Sequence, residues 1–367
     1  MKMTNTIGTV LFAAALLVTA AVRAEDPVTI STNGPSIVAN RLSLSARFGF
    51  NISGNFKGIG NGLLTPPAPN PRGTPSQSGR PNGDPYNYDD GYVLADSSGS
   101  ADGLTSYWGY DSLGQVSGNT VLLSRSTGIS SGSGSGKDQY ADPTIGAELV
   151  YSRHLGMLGV SERERYGLEF AVNYQNISFS DRSAYPANLT RLTDAYAFEP
   201  GTTPPVAPYQ GSYTGSGFLL NYLPTGPSVT SVVPGGTVIT GNHRFDGDLW
   251  GGRFGPYLEF PTTERLKLSL GAGLALGLLD AEVSWSESAT LPSGGIVSAS
   301  GKGNDIDVLY GPYARVDAAY DLGKNWSVLV GVQFQTLGRY NHNFAGREVA
   351  LDLRSSVFVT VGVGKSF

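Results

Sequence analysis

Few residues in this chain are equipped for chemistry. No Cys occurs among its 367 residues, which excludes a thiol nucleophile, a disulfide framework, an iron–sulfur cluster and a Cys-ligated zinc site. The three His residues, His154, His243 and His342, leave little material for a His-based metal centre. His243 precedes Asp246 and Asp248, so the chemistry open to it is that of a hydrolytic base. A base needs an oriented partner, and spacing alone supplies none. Asp84, Asn87, Asp89 and Asp90 carry oxygen ligands of the kind calcium takes, but EF-hand spacing is absent and a solvated loop is the plainer reading. Gly271-Ala272-Gly273 has the look of a nucleotide fingerprint, yet no helix follows it. We therefore expect no catalytic residue, no cofactor, no metal and no enzyme activity.

The elements that would carry such residues are strands. From Arg41 to Phe56 the even positions read Leu, Leu, Ala, Phe, Phe, Ile, Gly, Phe, and the odd positions are polar or small. That alternation makes a strand with two unlike faces. It recurs over Thr144–Leu155, Arg165–Gln175, Asp248–Phe260, Leu266–Leu278, Ile306–Leu322, Trp326–Phe334 and Val349–Phe367. Most of these segments exceed the usual strand length of about 5–6 residues. The connections alternate between long and short, as in an up-and-down barrel whose two ends differ. Before the strands, Lys2 and the apolar run Ile7–Val22 lead to Val22-Arg23-Ala24, which reads as a secretory signal peptide over 1–24. The mature barrel is then 25–367, with long exterior loops over about 57–142 and 180–244.

Composition bears on which face looks outward. Charged residues are 15% of the chain, against roughly 25% in ordinary soluble domains. The net charge of −5 speaks against a nucleic-acid partner. On the polar faces Arg47, Arg253, Lys267, Arg315 and Arg354 stand against Glu148, Glu169, Glu259, Asp317 and Asp352. Buried charges persist when paired, so this balance predicts a closed ionic network inside a narrow lumen. On the apolar faces Tyr166, Phe260, Tyr320, Trp326 and Phe367 gather at the short-turn end. Phe50, Tyr174, Trp250, Tyr310 and Phe334 gather at the other, as two membrane-interface girdles would.

With its final VFVTVGVGKSF, the chain resembles Gram-negative outer-membrane β-barrel proteins of the small OmpA/OmpX-like kind. The resemblance implies that the barrel-assembly machinery reads Val359, Val361, Val363 and Phe367; Lys365 departs from the pattern, where an apolar residue is commoner. It also implies an outer-membrane location reached through a cleaved signal peptide, and outer-membrane lipid and lipopolysaccharide as surroundings. The expected fold is all-β, an up-and-down antiparallel transmembrane barrel of eight strands, or ten if Gly91–Leu94 and Val121–Arg125 also cross. The expected role of this monomer is structural, envelope-stabilising or adhesive. A narrow channel and a hydrolase acting at the extracellular rim are the alternatives.

Overall fold

The structure, a computed structural model, describes residues 40–64, 87–131, 136–141, 143–158 and 164–367; the expected signal peptide and Asp84 lie outside the described residues. Eight strands form a circuit: β1 (Asn40–Phe50), β2 (Thr144–Leu158), β3 (Glu164–Asp181), β4 (Val229–Pro261), β5 (Leu266–Thr290), β6 (Ile296–Gly323), β7 (Trp326–Gln335) and β8 (Ser356–Ser366). All neighbours are antiparallel, and pairing runs β3-β2-β1-β8-β7-β6-β5-β4 and back from β4 to β3. The sheet exceeds eight strands, however. Above the ring β4 also pairs with the strand Tyr185–Ala197, which pairs with Thr120–Ser131 and then Val116–Ser117, eleven strands in all.

The period of two holds along each strand, but the faces exchange character part-way. Outward side chains of β5 read Leu268, Leu270, Ala272, Leu274, Leu276 and Leu278, then Asp280, Glu282, Ser284, Ser286 and Ser288. Inward ones read Ser269, Gly271, Gly273, Ala275 and Gly277, then Leu279, Ala281, Val283 and Trp285. On β3 the outward face passes from Tyr174 to Asn176, Ser178 and Ser180, while inside Gln175 gives way to Ile177 and Phe179. Register places Tyr174 opposite Trp250, Trp250 opposite Leu278 and Leu278 opposite Val308, so the exchange falls in one cross-strand row on β3, β4 and β5 and one pair higher on β6, after Ile306. Below it the outward apolar row of β5 spans the eleven residues Leu268–Leu278. At about 3.4 Å per residue and a tilt near 40°, they make an apolar belt roughly 26 Å tall.

This exchange explains why the observed strands outrun the expected ones. β4 was expected over Asp248–Phe260 and starts at Val229. Pro234-Gly235-Gly236, which reads as a hairpin turn in the sequence, is a register irregularity opposite Ala187–Leu189 instead. The last segment, expected unbroken over Val349–Phe367, breaks after Asp352. Val349, Leu351 and Leu353 turn inward into a core, because above the belt the apolar side is the inner one. The first segment breaks likewise at Asn51 (φ 59°), and Ser53–Lys57 joins Gln139–Tyr140, Arg347–Asp352 and Arg339–Phe344 in a second sheet.

The short pieces at 91–94 and 121–125 do not enter the ring. They help build a lobe beside its upper end, whose core holds Tyr88, Val93, Trp108, Tyr110, Val121, Leu123, Tyr196, Phe198 and Leu220. At the opposite end β6 and β7 are joined across Lys324 (φ 54°) and Asn325 (φ 66°), the signs of a two-residue type I′ turn. A β-branched residue resists that backbone. Asn325→Val is expected to cost about 1–2 kcal/mol in urea unfolding, with Asn325→Gly near neutral.

Candidate functional site

The interior of the ring holds three groups of charges. The middle one joins six residues from five strands. Arg253 reaches Glu148 at 2.8 Å and also pairs with Glu169. Arg315 reaches Glu169 Oε2 at 2.6 Å and Asp317 at 2.9 Å. Arg47 approaches Glu148 at 3.4 Å, donates to Gln335 at 2.9 Å and lies 3.7 Å over the Phe358 ring. Tyr313 donates to Glu169 at 2.9 Å. Three cations thus meet three anions, all buried. A Cβ at Gly331 would collide with the Asp317 carboxylate, and one at Gly271 would press on Arg315, so the small inward residues leave the room these side chains occupy.

Below this cluster Glu259 meets Arg41 at 3.1 Å and Arg165 at 3.9 Å. Lys267 faces the same end of the lumen, without an ion pair to any described residue. His154 points inward there as well. The lumen assignment of Asp352 and Arg354 is corrected. With the strand broken above Val357, both sit on the outer surface above the belt, paired with each other at 2.7 Å.

Above the middle cluster the interior becomes an apolar core, from Leu249, Leu279 and Leu309 up to Phe56, Phe245 and Tyr340. Within it Glu287 accepts from Arg347 Nη2 at 2.5 Å and from the Gly60 amide at 3.0 Å, and bonds His243 Nε2 at 2.9 Å. His243 is therefore sealed inside, whereas Asp246 and Asp248 point outward by parity and cannot serve it. Sequence reading missed Glu287 and Arg347. The signal for Glu287 was present, since it shares the inward parity of Leu279 and Val283. His342 pairs with Asp305 at 2.7 Å on the upper wall.

The loop carboxylates are spoken for by backbone. Asp89 accepts from Ser126 N at 2.8 Å, and Asp90 accepts from Ser124 N at 2.7 Å while pairing with Arg191 at 3.0 Å. Burial raises the Asp90 carboxyl above its ordinary value. Together they cap the free edge of Thr120–Ser131. Among the described residues no group of three or more His, Asp or Glu side chains could hold a metal ion.

Aromatic side chains stand at both ends of the apolar outer face. Phe50, Tyr310 and Phe334 are exposed at its upper edge, where the Tyr174 and Trp250 rings lie 4.7 Å apart. Tyr166, Phe260, Tyr320, Trp326 and Phe367 are exposed at its lower edge. Val359, Val361 and Val363 share the outward face of β8.

The solved structures that match include outer-membrane β-barrel proteins. Neisserial surface protein A (NspA) is 11% identical with a TM-score of 0.31, over 89% of this chain and 97% of that one. Ail, the attachment invasion locus protein of Yersinia pestis, is 7% identical with a TM-score of 0.28, over 90% and 99%. The outer membrane protease OmpT from Escherichia coli is 10% identical with a TM-score of 0.32, over 92% and 99%. No protein-family model matches the sequence, and no curated protein matches it.

Proposed function

We propose that this chain is an eight-stranded transmembrane barrel of the outer membrane that neither conducts nor catalyses, and that its working part is the folded lobe it holds outside the cell. The role is adhesive or envelope-structural. One observation carries this reading: the interior is filled at successive levels, first by three cations matched to three anions, then by an apolar core. A conducting path would have to part buried ion pairs and then open close-packed side chains, both costly. The same filling supports an inert interior, since His243 has no route to a substrate.

The apolar belt supports the membrane placement. A height near 25 Å, aromatic rims and a polar exterior above the upper rim are what a bilayer selects. An outward Leu row would otherwise face water. The expected result in planar bilayers is a flat baseline after insertion of the full chain. Steady, ion-selective openings would instead establish the narrow-channel alternative.

A further inference from the structure

We propose that Arg339 and Arg354 form a binding site for a phosphate group carried by a lipid of the outer leaflet. The site rests on the reading that the apolar belt lies in the membrane. Arg339, Asp352 and Ser53 stand in one cross-strand row on the outer face of the second sheet, with Arg354 just beneath. Asn51, Ser53, Asp352, Arg354 and Ser355 line a cleft of about 300 Å³ open to the exterior.

Above the belt Arg244 pairs with Asp246, Lys302 with Glu282 and Lys57 with Glu348, while Arg182 donates to Asn242. Asp352 is shared: it takes Arg339 Nη2 at 2.9 Å and Arg354 Nη2 at 2.7 Å on the same oxygen. One positive charge is left over. Nη1 of Arg354 and both Nε and Nη1 of Arg339 have no acceptor among the described residues, and both side chains are about half exposed. The bonded Arg354 guanidinium, together with Arg339, holds the Asp352 carboxyl far below its ordinary range, so the carboxylate keeps the two forks in place at any physiological pH. Planar guanidinium forks with spare donors suit a tetrahedral oxyanion, which they can grip at two oxygens.

Height identifies the source of the anion. Arg354 lies three residues above Val357, whose partners are Phe50 and Phe334 at the belt's upper rim. Arg354 lies in the turn that precedes this strand, and three residues of chain span at most about 10 Å. The headgroup layer of one leaflet is roughly 5–8 Å deep, so the two guanidiniums sit where lipid phosphates lie.

The test is native mass spectrometry of the full chain in neutral detergent, titrated with bisphosphorylated lipid A. The expected result is specific retention by the wild type and about tenfold or greater weakening in the Arg339→Ala/Arg354→Ala double variant. Lipid A stripped of phosphate should bind the wild type as weakly as the double variant binds the intact lipid. Millimolar inorganic phosphate should not compete. Equal retention by the double variant, or by the dephosphorylated lipid, overturns the site; full competition by inorganic phosphate overturns the lipid assignment. Heat-modifiable gel migration reports folding of each variant independently, so a chain that fails to form a barrel is distinguished from a barrel without the site. Arg354→Gln is the milder variant should the double one misfold, and it too should weaken retention.

Discussion

Glu169→Leu is expected to cost about 3–5 kcal/mol of folding stability, the largest effect of any single lumen substitution. Glu169 is the hub of the middle cluster, touching Arg253, Arg315 and Tyr313 with no exposure of its own. Its loss leaves three buried cations against two anions. The desolvation already incurred by Arg253 and Arg315 is then no longer offset, and little solvent can reach them. Urea unfolding of the vesicle-inserted chain, followed by gel migration, measures the loss. The companion variant Glu169→Leu/Arg253→Met restores equality, leaving Arg47 with Glu148 and Arg315 with Asp317, and exchanges a buried pair for apolar volume. It should recover most of the stability, because replacing a whole buried pair is often close to neutral. A single variant within about 1 kcal/mol of the wild type would show that water fills this level of the lumen.

The sequence made the ring legible because parity is a strong signal. Leu268 to Leu278 alternate with Ser269, Gly271 and Gly273, and only a strand separates those sets. Parity also placed Arg47, Glu148, Glu169, Arg253, Arg315 and Asp317 on one side of the wall. What it could not show was the exchange of faces. Val349, Leu351 and Leu353 continue the parity of Val357 and Val359, so they read as one lipid-facing run; the break at Leu353–Ser355 turns them inward and carries Asp352 and Arg354 out of the lumen. Likewise Ile239, Phe245 and Leu249 have the opposite parity to Trp250 and Phe254. A search for one continuous apolar face stops at Asp248, although the strand runs on to Val229. The lobe was hidden for a different reason. Its core joins Trp108 and Tyr110 to Tyr196, Phe198 and Leu220, residues about ninety to a hundred and ten positions apart, and the strands of Trp108, Tyr110 and Leu220 are too short for any period to register.

Leu274→Arg is expected to cost about 2–4 kcal/mol in the membrane, while Ser286→Arg on the same strand and the same face should cost less than about 1 kcal/mol. The two positions differ in height, not in parity. Leu274 is 70% exposed near the middle of the belt, with Phe254 and Pro312 as its cross-strand partners. Ser286 points the same way eight residues above the last outward leucine. In water both would be ordinary surface substitutions, each within about 0.5 kcal/mol of neutral, and Arg at 274 would if anything improve solubility. A large gap between the two therefore measures the bilayer itself and brackets the change of surroundings between Leu274 and Ser286. Equal, small costs in vesicles would mean that the belt is covered by something other than lipid. The inward partner of this pair sharpens the point: Val283→Arg, above the belt but facing the core, should be costly in vesicles and in detergent alike, because there the apolar medium is the protein's own interior.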